Sequence, residues 1–366
     1  MRMTVKSISA ALFSIVATSF VCYPASAKPS DGFFYETRHI TDHVDLIYRP
    51  DPVRVPAEGN VTVVDQQDGL VVVDAGGSPA GGERIVQNIK KLSRKPVRFL
   101  IYTHYHGDHN LGAGAFLNAW PNVTIVSTEK TRENMAGAPM DYIKTYDKAY
   151  EGYADVIKDR LARPDTPETE RVRWVQLRED LPFIVKAYHN LVAHPARVTF
   201  SDRISLYDPV APVEVMFLGR ANTDGDAVIW LPKQRVLASG DIVVHPIPYA
   251  SASFPGEWIG VLKKLEGFDF AYLIPGHGEV QTDRQYLDKL IGTLTDIRAQ
   301  VTPLAQKGMS LADVRKQVNG RDILQSYAGD NAWNRLWMRN VFLNAIIGNA
   351  YKEAKGELIV QGHDDG

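Results

Sequence analysis

The sequence predicts an α+β protein, and three observations lead there. Two β-branched runs, Val61–Val64 and Leu70–Val73, flank a turn at Asp65–Gly69 and read as a hairpin. Alternating helix and strand patterns follow it, and a second series of short strands lies between 197 and 238. The remainder, 281–355, reads as helices.

Each element has its own signal. The stretch before the hairpin, 28–60, is mixed and carries Pro50, Pro52 and Pro56. After Asp74-Ala75-Gly76-Gly77 breaks the second strand, Ile85, Ile89 and Leu92 give 83–92 one apolar helical face. Phe99–Tyr102 is a short buried strand that runs directly into His104, and a helix and the strand Val123–Val126 come next. From about 128 to 190 charge becomes dense and strand runs vanish. Tyr142, Tyr146, Tyr150 and Tyr153 recur at helical spacing there, and Pro164 and Pro167 mark a break between helices. This reads as a helical insertion, with the tyrosines as packing. Strands resume at Arg197–Phe200, Ile204–Tyr207, Val213–Leu218, Ala227–Leu231 and Val236–Ala238. A helix near Glu257–Leu265 leads to the strand Phe270–Ile274, and Ser310 reads as an N-cap.

Composition bounds the function. The chain has 366 residues, 45% of them hydrophobic, and a net charge of −2, which gives no basic surplus to hold a phosphate backbone. Nucleic acid is therefore not expected as a partner, and a small-molecule substrate is. Residues 1–27 have the layout of a secretory signal peptide: Arg2 and Lys6, an apolar run from Ile8 to Tyr23, then Ala25-Ser26-Ala27. Cleavage is expected after Ala27. The expected location is periplasmic or secreted, with residues 28–366 as one domain and no stable membrane insertion after cleavage. Cys22, the single cysteine, leaves with the signal. Disulfides and thiolate metal sites are excluded, so metal chemistry must rest on histidine and carboxylate.

The densest chemical signal is Thr103-His104-Tyr105-His106-Gly107-Asp108-His109. His104 and His106, two apart in extended chain, point to one side and can share an ion. Gly107 permits a sharp turn, after which Asp108 and His109 can reach a second ion. Imidazole with carboxylate suits Zn²⁺ and similar divalent metals.

This run resembles the signature of the metallo-β-lactamase superfamily. Further motifs follow in order: Val73-Asp74-Ala75-Gly76, Gly240-Asp241 and Pro275-Gly276-His277-Gly278, the last resembling a glyoxalase-II-like ending. The resemblance covers roughly 58–280. It implies a four-layer αβ/βα sandwich, with the helical insertion and the C-terminal helices added to it. It also implies a metal site one of His104, His106 and the residue at 222, and a site two of Asp108, His109 and His277, with Asp241 bridging. Where the family carries histidine in Gly-His-Thr-x-Gly-Asp, this chain reads Gly219-Arg220-Ala221-Asn222-Thr223-Asp224-Gly225-Asp226. An amide oxygen is a weaker zinc ligand than imidazole, so site two is expected to hold metal more strongly.

A divalent ion brings the pKa of water toward about 7 and polarises a substrate oxygen. Asp108 is the candidate to orient that water and accept its proton, besides binding metal. Asp74 and Asp226 are expected behind the ligands, holding the histidines or the loop in place. Arg220 and Tyr249 are candidate substrate contacts, Phe254 and Trp258 stand as pocket wall or core, and His245 faces substrate or is structural. The expected activity is that of an exported metal-dependent hydrolase acting on an ester, lactone, lactam, thioester or phosphoester. β-Lactamase activity is possible but not favoured. The alternative is a non-catalytic metal-binding protein that retains the fold.

Overall fold

The computed structural model describes residues 33–362, so the expected signal segment, with Cys22, lies outside the described residues. Twelve strands form two sheets among the described residues. The first contains β1 (Glu36–Thr41), β2 (Val44–Tyr48), β3 (Val61–Gln66), β4 (Gly69–Val73), β5 (Val97–Ile101), β6 (Thr124–Thr128) and β7 (Val198–Phe200), in that spatial order. The second contains β8 (Arg203–Leu206), β9 (Val213–Phe217), β10 (Ala227–Leu231), β11 (Val236–Val244) and β12 (Tyr272–His277), ordered β12-β11-β10-β9-β8. β1 to β4 pair antiparallel, and β4 to β7 pair parallel through helical crossovers. β11 and β12 are also parallel.

Side-chain alternation builds the layers. Val64, Val71, Val73 and Ile101 of the first sheet meet Val215, Ile229, Val236 and Ile274 of the second in one buried cluster between the sheets. The opposite face of the first sheet carries Val61, Val63, Val72 and Leu100. Ile85 and Ile89 of α1 (Pro79–Leu92) and Phe116 of α2 (Ala113–Ala119) cover it. The outer face of the second sheet is covered by Trp258, Leu262 and Leu265 of α7 (Pro255–Leu265) and by Leu287, Leu290 and Leu294 of α8 (Gln285–Gln306). The result is helix, sheet, sheet, helix. Each buried Leu, Ile or Val contributes about 1.5–3 kcal/mol of transfer free energy, so a continuous apolar strand such as β4 is dictated by burial on both faces.

The proline-containing stretch before the hairpin also holds structure. β1 and β2 form there, with Val44, Leu46 and Ile47 buried, and widen the first sheet. Polar residues dominate β1, whose burial depends on its partner strand, so its own composition carries little strand signal. The insertion between β6 and β7 is helical: α3 (Glu129–Ala136), a 3₁₀ stretch (Ala138–Thr145), α4 (Tyr146–Glu151), α5 (Tyr153–Ala162) and α6 (Glu168–Ala187). Pro164 and Pro167 fall between α5 and α6. The C-terminal part adds α9 (Leu311–Gln317), α10 (Gly320–Ala328), α11 (Ala332–Met338), a π-helical turn (Arg339–Leu343) and α12 (Asn344–Lys355). Ser310 caps α9, its Oγ accepting from the Asp313 N–H at 3.2 Å. Trp333 of α11 packs edge-on to Trp174 of α6 and donates its Nε1–H to the Val53 carbonyl at 2.9 Å, joining insertion, C-terminal helices and the pre-hairpin loop. Among the described residues no helix is long and apolar enough to cross a membrane.

Candidate metal centre

Strand ends of both sheets meet at one edge of the sandwich, and the chemical residues sit on the loops that leave them. β5 delivers Thr103 and His104, and a short 3₁₀ turn at Gly107–His109 delivers Asp108 and His109. From the second sheet, β11 carries Asp241 and β12 carries His277. His104, His109, Asp241 and His277 are buried, and Asp108 retains 24% side-chain exposure.

The donor atoms converge. His109 Nε2 stands 3.2 Å from His277 Nε2 and 3.2 Å from Asp241 Oδ1. Asp108 Oδ2 lies 3.0 Å from His277 Nε2 and 3.6 Å from His109 Nε2. On the other side, His104 Nε2 is 2.9 Å from His106 Nδ1 and 3.7 Å from Asp241 Oδ2. Asp241 thus faces both histidine pairs, one oxygen to each.

This arrangement fits divalent cations. Asp241 Oδ1 and Asn222 Oδ1 are buried with no hydrogen-bond partner, a costly state unless an ion satisfies them. Burial lowers the pKa of His104, and the neighbouring imidazoles add to that, leaving a neutral ring with a lone pair to give. Burial also works to lower His109, but Asp241, Asp108 and Asp74 outweigh it and raise it well above the ordinary value. Burial works to raise the Asp108 carboxyl, and His109 and His277 outweigh that and bring it down. Such a crowd of buried acids and imidazoles calls for positive charge at its centre.

Supporting groups are visible behind the candidate ligands. Asp74, at the end of β4 with a left-handed φ of 65°, accepts from the Thr103 N–H at 2.8 Å and the Thr103 hydroxyl at 2.8 Å. Its Oδ2 lies 2.8 Å from His109 Nδ1. Asp226 accepts from the Thr223 N–H at 2.7 Å and so ties down the 222–226 loop, without a contact to a ligand histidine. Two glycines of the Pro275-Gly276-His277-Gly278 turn are required by their surroundings. A Cβ on Gly276 would lie 2.0 Å from Asp241 Oδ1, and Gly278 has a φ of +81° with the His245 carbonyl against it.

Asn222 is fully buried, and its Nδ2 donates to the Tyr249 carbonyl at 2.7 Å. Tyr249 packs edge-on to His106. Arg220 is placed elsewhere. Its guanidinium makes a two-pronged pair with Glu257 and stacks over Phe254 at 4.2 Å, and it does not line the cavity at the metal centre. An exposed carboxylate within reach outcompetes a cavity for it. Trp258 belongs to the core, its Nε1–H bonded to the Ile242 carbonyl at 3.0 Å, and Phe254 is buried beside it.

The cavity has a volume of about 390 Å³. His106, Asp108, Asp241 and His277 form its floor, with Tyr249 and His245 beside them. Its walls are Tyr142, Tyr146 and Tyr150 from the insertion and Trp337 and Val341 from the C-terminal helices. The tyrosine stripe that reads as helix packing in the sequence therefore also lines the site. Periodicity reveals the stripe, but not which neighbour it faces.

A profile of the metallo-beta-lactamase superfamily matches residues 54–277. The chain belongs to this superfamily. Within it, the chain is similar to a linear primary-alkylsulfatase from a Pseudomonas sp. strain, at 24% identity over 258 residues. That match covers 65% of this chain and 45% of the relative, so the chain spans less than half the length of that curated protein. Among solved structures it resembles the stereoselective inverting sec-alkylsulfatase Pisa1 from Pseudomonas sp., with a TM-score of 0.60 and 17% identity, covering 87% of this chain and 50% of the other. A metallo-beta-lactamase from Pontibacter korlensis aligns with a TM-score of 0.48 and 17% identity, covering 72% and 99%. At these identities the likeness is one of fold. The metallo-beta-lactamase fold accounts for the two packed sheets, and the insertion and the C-terminal helices supply the cavity walls.

Proposed function

We propose that this chain is an exported metal-dependent hydrolase that cleaves an ester carrying an apolar group. One observation carries the reading: histidine and aspartate side chains that could hold metal converge at one place, and four of them, His106, Asp108, Asp241 and His277, line a cavity walled by tyrosine, tryptophan and aliphatic side chains. Asp108, His109 and His277 with Asp241 would hold one zinc or similar ion. His104 and His106 with Asp241 and Asn222 would hold a second, more weakly. When bound, such ions supply Lewis acidity, lowering the pKa of water and polarising a substrate oxygen.

The chain's own residues do the rest. Asp108, partly exposed to the cavity, orients the attacking water and accepts one of its protons. The water oxygen bonds to the acyl carbon, the bond to the leaving alcohol breaks, and a proton goes to the departing oxygen. Asp74 keeps the His109 ring in one orientation, and Asp226 keeps the Asn222 loop in place. Tyr249 and the tyrosine wall receive the apolar group. Among the described residues the lining contains no lysine or arginine, which favours a neutral carboxylic ester or lactone. A second reading, a sulfate ester, is favoured by the similarity to the alkylsulfatases. Export is supported by the basic start, the apolar run and Ala25-Ser26-Ala27.

The test is turnover of p-nitrophenyl esters of increasing chain length, a lactone, nitrocefin and a primary alkyl sulfate. It is run on protein loaded with zinc, then stripped with EDTA, then reloaded. Turnover of an ester that EDTA abolishes and zinc restores is expected. No turnover of any class, with EDTA changing only stability, would establish the non-catalytic binding protein instead.

A further inference from the structure

The metal centre draws its ligands from two sheets. Asp108 and His109 follow β5, whereas His277 ends β12, and 168 positions separate His109 from His277. Something must hold these two turns at the spacing that lets their ring nitrogens meet. The segment Glu58-Gly59-Asn60, directly before β3, lies between them and bonds to both.

On one side, the Gly59 N–H donates to the Asp108 carbonyl at 3.2 Å. Glu58 Oε2 accepts from the Gly77 N–H at 2.7 Å and from the Tyr35 hydroxyl at 2.6 Å, which anchors the segment to the loop after β4. On the other side, Asn60 makes three bonds to the turn that carries His277. Its backbone N–H donates to the Gly276 carbonyl at 2.7 Å. Its Nδ2 donates to the Pro275 carbonyl at 2.9 Å and to the Gly278 carbonyl at 3.0 Å. Carbonyls on both sides of His277 are thus held by one buried amide.

We propose that Asn60 is a positioning residue for the second metal site: it grips the turn on either side of His277 and, through Gly59, ties that turn to Asp108. The inference rests on the metal-centre reading above. The chemistry asks for asparagine in particular. A side-chain amide offers two N–H groups from one atom, and here they go to two carbonyls three residues apart. Aspartate has the same shape but can only accept, so it would set a carboxylate against both carbonyl oxygens. The turn would open, His277 would leave its place opposite His109, and site two would lose a ligand. Because β3 is pinned by its own ladder to β2 and β4, the strand would remain.

The experiment measures Co²⁺ binding to the full chain by chelator competition and by the visible absorption of the bound ion, in wild type, Asn60→Asp and Val61→Ala. Val61, the next residue and the first of β3, is buried and makes no bond to the turn, so Val61→Ala controls for general loosening of β3. At least tenfold weaker binding with an altered spectrum in Asn60→Asp, and a change within twofold in Val61→Ala, is the expected result. Unchanged binding in Asn60→Asp, or equal losses in both variants, would overturn it. If Asn60→Asp does not fold, Asn60→Ser is read in its place, since serine is too short to reach both carbonyls, and the same outcomes decide. A wild-type chain that takes up no cobalt would overturn the metal reading itself.

Discussion

His109 Nδ1 and Asp74 Oδ2 lie 2.8 Å apart, both buried, with the other ring nitrogen of His109 turned toward His277 and Asp241. Asp74 therefore sets which nitrogen of the imidazole is turned toward the candidate metal centre, and it does so while held by Thr103 through two further bonds. A carboxylate in this place fixes the tautomer and raises the basicity of the ligand nitrogen.

Asp74→Asn is expected to weaken metal binding by about 10- to 100-fold, the usual cost of losing such a partner. Metal titration followed by chelator competition measures it. Affinity within twofold of wild type would show that His109 is oriented by its packing alone.

Asn222 stands where the motif that the sequence resembles carries histidine, and its Oδ1 is buried without a partner. Wild-type protein dialysed against trace zinc is expected to keep about one ion per chain, and Asn222→His to approach two, because imidazole is the better zinc ligand. Elemental analysis gives the ratio. Two tightly held ions in the wild type would refute the unequal sites.

Asp226 is pushed up to about 8 by burial, with Asp241 and Asp224 adding to the rise. Its unfolded value is near 4, so over the interval between the two the folded chain binds more protons than the unfolded one. Stability is then fully present below about pH 4 for this group and is lost as pH rises through about 8. Thermal melts in the presence of chelator are expected to decline from pH 5 to 9, and Asp226→Asn to flatten that decline. The variant should be more stable than wild type at pH 9 by on the order of a few kcal/mol. Parallel pH profiles for the two proteins would count against it.

Tyr146 stands on the cavity wall and packs on Tyr142, Tyr150 and Tyr188. Tyr146→Ala is expected to raise KM for long-chain esters by about tenfold, matching the loss of about 1.5 kcal/mol of apolar contact, with little change in kcat or in KM for acetate esters. Steady-state kinetics across chain lengths reads it. An equal effect on short and long chains would place the apolar group elsewhere.

The candidate ligand residues were legible because their chemistry is local. His104, His106, Asp108 and His109 fall within six consecutive positions after a buried strand, and Asp241 inside β11 and His277 at the end of β12 lie on strands that apolar runs announce. The hairpin, the insertion and the Ser310 cap were readable for the same reason: periodicity and capping act over a few residues. β1 was not, because its strand character comes from pairing with β2 rather than from its own side chains.

What the chain carries in its own order is therefore the fold family, the candidate ligand set and the amide at Asn222. Three matters waited for the packed molecule. Arg220, a neighbour of Asn222 in sequence, turns away to Glu257. The tyrosines of the insertion and Trp337 come together over the metal centre from segments almost two hundred positions apart. Asn60, with no motif around it, closes on the turn that holds His277. Each is a contact between segments distant in the chain, and such contacts arise only when burial of the two sheets and their helices brings the strand ends to one edge.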